Sequence, residues 1–80
     1  MQTTTVDVGI GGCYVETIFP PPVGLRMQVL LWLGSTKLLA KGVVRTSYPG
    51  VGMGIEFVDL SWEQTEQLYR FLESNPRIAK

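Results

Sequence analysis

The chain has no histidine and a single cysteine, Cys13. An internal disulfide cannot form, and one chain has no Cys/His set with which to hold structural zinc. Histidine is the side chain most often used for proton transfer near neutral pH, so its absence removes the commonest general acid and base. No apolar run reaches the roughly 18 residues of a membrane-spanning helix, and the N-terminus lacks the basic and apolar regions of a secretory signal. The expectation is a soluble, cytoplasmic protein that is not an enzyme, carries no metal or cofactor and does not insert into a membrane. Charge is scarce as well: 18% of the residues are charged, with seven Lys plus Arg against seven Asp plus Glu. Zero net charge gives no chain-wide attraction to a nucleic acid polymer.

What remains is a short, apolar chain of 80 residues, 45% of them hydrophobic. That is enough for one domain over residues 1–80 with one small core. Thr3 to Val8 and Cys13 to Ile18 read as strands from their β-branched content, joined through Gly9 to Gly12. Cys13 reads as a small packed residue. The prolines of Phe19 to Gly24 cannot donate to a ladder and end the second strand. Met27, Val29, Leu31 and Leu33 share one face of a third strand, and Leu30 with Trp32 makes its other face apolar, which predicts cover on both sides. After a turn at Gly34 to Thr36, Leu38, Ala40 and Val44 alternate with Lys37, Lys41 and Arg45, a solvated cationic face. A Pro-Gly turn then leads into a strand whose Val51, Met53, Ile55 and Phe57 face the core against Gly52, Gly54 and Glu56. Glycines there predict a bulge, a strong bend or the close approach of something bulky, the bend ahead of a ligand contact.

The strands cover about residues 3–58, and a helix follows over about 61–74. Ser61 and Gln64 have capping-box spacing, with Glu63 in the first turn. Leu68, Phe71 and Leu72 form its apolar stripe, with Trp62 and Tyr69 beside them, and Asn75-Pro76 stops it. The class is mainly β: a small antiparallel β-barrel or sandwich with a C-terminal α-helix, its neighbouring strands joined as a meander.

The ordered set "DVGIGGCYVET", "PPPVG", "GVVR", "GMGIEF" and a capped helix resembles the PilZ domain, a bacterial receptor module for cyclic di-GMP. The resemblance spans most of Val6 to Leu72 and implies a PilZ-like barrel. That family carries a DxSxxG motif at a strand turn, and the resemblance implies that Asp7, Gly9 and Gly12 are the ligand-binding positions, with Gly9 where the serine stands. A carboxylate accepts hydrogen bonds from the N–H edge of guanine, and glycine lets backbone approach the base. The family's second motif, RxxxR, has no counterpart: none of Arg26, Arg45, Arg70 or Arg77 has an arginine four residues on, and Met1 to Val6 contains none. The barrel is then incomplete, lacking an N-terminal strand.

The function expected is a PilZ-type regulatory module for signalling, with cyclic di-GMP binding weak or lost. The alternative is a ligand-independent adapter that docks on a protein partner or a domain of a host protein. A remote alternative is a barrel that stacks single-stranded nucleic acid on Tyr14, Trp32, Tyr48 or Trp62. Glu56 and Asp59 read as surface or turn residues. An unpaired sheet edge at the first strand, or the helix stripe, predicts a homo-oligomer.

Overall fold

The computed structural model describes residues 4–74. Among them β1 (Thr4–Val8), β2 (Gly12–Glu16), β3 (Arg26–Leu33), β4 (Thr36–Tyr48) and β5 (Gly52–Val58) form one antiparallel sheet, and helix α1 (Trp62–Ser74) follows. The sheet curls into a half-barrel, so the mainly β class with a C-terminal helix is as expected. Thr3 and the Asn75-Pro76 stop lie outside the described residues.

The strand order, β1-β2-β5-β4-β3, departs from a simple meander. Chain neighbours β2 and β3 do not pair; β5 returns to lie against β2, with Cys13 opposite Ile55 and Val15 opposite Met53. The proline-rich connection makes this possible, because its donor-poor backbone has little to contribute to a ladder and instead crosses from one strand to the far side. Hydrogen bonds fix both ends of the crossing. Thr17 N–H donates to Val51 O (3.3 Å) and Gly50 N–H to Ile18 O (2.8 Å), while Gly24 N–H donates to Val44 O (2.7 Å) and Val44 N–H to Leu25 O (3.0 Å). Strand β2 consequently ends at Glu16, two positions before the predicted Ile18.

Two turns require glycine. Gly50 has φ 80° behind Pro49, and Val51 N–H donates to Tyr48 O at 2.9 Å, a type II turn between β4 and β5. Gly34, with φ 66°, opens the two-residue loop between β3 and β4, where a positive first φ matches the twist of the strands.

The core lies on the concave face, where Val15, Leu31, Leu38, Val44, Met53 and Ile55 are buried and Leu68 of α1 is inserted among them. Phe71 and Leu72 pack against this cluster. Their stripe is thus taken up within the chain, which leaves it a poor route to self-association. Trp62 and Tyr69 do not join it, being 80% and 57% exposed, because they fall outside the arc of the helix that meets the sheet. Leu30 and Trp32 are likewise 50% and 59% exposed, so β3 is covered on one face only: α1 closes the concave side and nothing described here covers the convex side. Val51 is exposed because it belongs to the turn rather than to β5.

The helix starts as its sequence dictates. Ser61 N–H donates to Gln64 Oε1 (3.0 Å) and Gln64 N–H to Ser61 Oγ (3.1 Å), a complete capping box. Gln64 also donates from Nε2 to the Leu39 carbonyl at 2.8 Å, tying the helix start to β4. Ser61→Ala is expected to cost about 1 kcal/mol. Gln64→Ala removes the link to β4 as well and is expected to cost more, about 1.5 to 2 kcal/mol. Urea unfolding of the two variants checks the order; equal costs would mean that the Leu39 bond contributes nothing.

Candidate functional site

The segment from Asp7 to Gly12 forms the tip of the β1–β2 hairpin. Val8 opposite Cys13 is the last strand pair, and Gly9 N–H donates to Gly12 O at 2.8 Å across the four-residue connection between them. Ile10 and Gly11 are exposed at its end. Gly11 has open space around its α-carbon, but its carbonyl accepts the Phe57 N–H at 2.9 Å, so the tip is anchored to β5. Gly12 has no such freedom: a β-carbon there would run into the carbonyl of Ile55. Its smallness lets β2 and β5 approach each other. Of the three positions that the resemblance points to, Asp7 and Gly9 are therefore half-buried at the hairpin end, while Gly12 is engaged by the sheet itself.

Asp7 takes the face opposite Val8, which is the convex one. The registers place Asp7, Tyr14, Gly54 and Thr46 in one row across β1, β2, β5 and β4. The glycines of β5 clear space for the molecule's own side chains. A β-carbon on Gly52 would run into the Val15 carbonyl and lie 3.0 Å from Tyr14 Oη, and one on Gly54 would lie 2.5 Å from Thr46 Oγ1, which also accepts the Gly54 N–H at 2.9 Å. The bulge lies not in the glycine-bearing β5, where it was expected, but in its neighbour β4, between Val44 and Thr46. It turns Arg45 outward, where Nε and a terminal nitrogen donate to Glu56 Oε1 at 2.9 and 2.7 Å. The pair is solvent-exposed and worth at most about 1 kcal/mol, but it sets a carboxylate against the Arg45 guanidinium.

Cys13 is buried in the core, and desolvation pushes its thiol up from 9.0 to about 11. The unfolded chain loses this proton near pH 9 and the folded chain holds it to about pH 11. Unfolding therefore releases a proton in that window, and stability falls as pH rises through it. Urea midpoints at about pH 8 and about pH 10 are expected to drop more in the native chain than in Cys13→Ala; equal drops would mean that this thiol is not the group responsible.

Three further cations, Arg26, Lys37 and Lys41, lie on β3 and β4. Lys37 Nζ lies 4.9 Å from the centroid of the Trp32 ring. Arg26 and Lys41 flank a shallow groove of about 390 Å³ that also includes Gln28, Val58 and Asp59. Asp59, at φ 55°, makes the bend from β5 toward α1. Arg26 stands in the same row as Gly12, Glu56 and Val43. Three strand spacings along the sheet separate it from Gly12, about 14 Å, while Val58 at the other side of the groove follows Phe57, which bonds the hairpin tip.

The solvated cationic face of β4 is as expected, but the apolar part of this surface is not, since Leu30 and Trp32 were expected to be covered. Residues 17 to 55 contain four of the seven cations, Arg26, Lys37, Lys41 and Arg45, and no carboxylate. Zero net charge conceals that polarity. Leu30, Trp32 and Leu39, out of phase with the core residues, marked an exposed apolar surface rather than a second buried one. Among the described residues no group of His, Cys, Asp and Glu is placed to hold a metal ion, and no helix is long and apolar enough to cross a membrane. Comparison with known proteins finds no matching family model, curated protein or solved structure.

Proposed function

We propose that the chain is a regulatory binding module of the PilZ type, acting by docking rather than by catalysis, with affinity for cyclic di-GMP weak or lost. The ordered sequence resemblance supports the reading. So does the position of Asp7 at a glycine-rich hairpin end on the convex face, open to solvent at Ile10 and Gly11. The observation that carries the weakness of binding is the chemistry around that end. Arg45 is held by Glu56, Arg26 is three strands away, and Gly9 supplies no hydroxyl. Among the described residues a bis-phosphate ligand meets no free guanidinium fork of β3 or β4 there.

Titration calorimetry tests this. The expected result is no saturable binding below about 10 μM; a dissociation constant under about 1 μM, roughly −8 kcal/mol, would overturn it. The adapter reading has a specific observation in its favour, the exposed Leu30, Trp32 and Leu39 on one face of the β3–β4 hairpin. Monomeric proteins rarely leave large side chains clustered in this way without a use.

A further inference from the structure

The two outer strands of the sheet differ in kind. β1 is five residues long and interrupted by a bulge between Thr5 and Asp7, whereas β3 keeps its register over eight residues. Proteins commonly protect sheet edges with short strands, bulges, prolines or charged side chains. β1 has the first two, and β3 has only Arg26, at its first position.

The backbone of β3 is directed outward in a defined way. The two-residue turn makes Leu33 and Thr36 the closing hydrogen-bonded pair, so Met27, Val29, Leu31 and Leu33 exchange backbone bonds with β4. Arg26, Gln28, Leu30 and Trp32 consequently turn their N–H and C=O groups to the open edge. Among the described residues no strand pairs with that edge. The side chains of the same four residues are exposed on the convex face, and their partners across β4 are Val43, Lys41, Leu39 and Lys37. Beside the edge there is thus an apolar centre at Leu30, Leu39 and Trp32, flanked by Lys37 at one end and by Arg26 and Lys41 at the other, without a carboxylate on either strand.

We propose that β3 accepts an extended acidic peptide strand of a protein partner, bound by main-chain hydrogen bonds along the edge, with its carboxylates beside Arg26 and Lys41 and apolar residues beside Leu30 and Trp32. The edge calls for a strand, since a helix has no free main-chain groups along its length to meet it. The charge calls for acid. A second copy is the wrong partner at this edge: β3 carries no carboxylate that could be set beside Arg26 and Lys41 of its mate. The inference names the partner class for the adapter reading and is measured without cyclic di-GMP, so its failure leaves the ligand question untouched.

The test uses the whole chain and a fluorescent peptide of about eight residues, with Glu, Glu, Val and Val at alternate positions and threonine between them. Fluorescence anisotropy is expected to show saturable binding that weakens as salt rises, with slowed amide exchange at Gln28, Leu30 and Trp32. Arg26→Glu with Lys41→Glu is expected to weaken binding by roughly tenfold. Two further peptides need no protein variant. One carries N-methyl groups on the threonines and the other on the Glu and Val residues. Only one set of nitrogens meets the edge, so one peptide should lose binding and the other keep it. Equal behaviour of the two, absence of binding to folded protein, or a dimer in sedimentation with β3 amides already protected would each overturn the proposal. So would an oligothymidine that binds while the peptide does not.

Discussion

Gly12→Ala is expected to destabilise the chain by about 3 kcal/mol. A domain of this length has roughly 4 to 12 kcal/mol in total, so the variant loses a large share of its stability. The cause is local and severe. The added methyl group points into the Ile55 carbonyl, a backbone atom held by the β2–β5 ladder, and no side-chain rotation can relieve it. Gly11→Ala is the control: nothing lies within 4 Å of the added group, and the change should stay within about 0.5 kcal/mol. Guanidinium or urea unfolding of the two variants decides what the last glycine of the motif is for. A large cost at Gly12 with little at Gly11 assigns it to the sheet. Unchanged stability in Gly12→Ala would mean that β2 and β5 can separate there, leaving close approach of a ligand as the remaining reason for a glycine.

Leu68→Ala should cost a similar amount, about 3 to 4 kcal/mol, from lost burial and the cavity left behind. Leu68 has no exposed surface and is the fully buried side chain that α1 contributes to the core. In a domain of this size that cost lowers Tm by about 15 °C or more. Trp62→Ala removes a larger side chain from the same helix, yet should change stability by less than about 0.5 kcal/mol, because its ring is in solvent. Thermal unfolding of the two variants checks both. Equal losses would put Trp62 in a contact not seen here, and a mild Leu68→Ala would mean that the helix adds little to holding the half-barrel.

The contrast between these two residues shows how much was legible in the sequence. Local chemistry was read well. The capping box at Ser61 and Gln64, the Pro-Gly turn and the glycine-backed β5 each depend on neighbours within a few positions. The inward alternation of β3 and β4 was also visible, since a period of two needs only the strand itself. Which apolar residues would find cover was not visible. Leu30 and Trp32 look like core residues until it is known that one helix serves one face. The pairing of β2 with β5 was hidden for a related reason: nothing in "GCYVE" says which distant strand will lie beside it, and the clue, glycines in β5 that make room for Tyr14, is intelligible only once the two are adjacent. At the hairpin, the positions of Asp7, Gly9 and Gly12 were legible as a turn, and their division of labour between backbone closure and open surface was not.

The return of β5 to β2 has a bearing on how the chain comes to be folded. Gly12 finds its partner at Glu56, so the β1–β2 hairpin cannot dock on the rest of the sheet until more than 40 further residues have followed it. The strands β3, β4 and β5 need only short loops and can zip together first, whereas docking the hairpin closes a long loop and belongs to the slow class of contacts. On a ribosome adding about 5 to 20 residues per second, the first hairpin waits for seconds with Cys13 and Val15 unprotected. The amino-terminal end of the domain is thus the first part made and among the last to be placed, and it is there that chaperone contact or premature association would compete with folding.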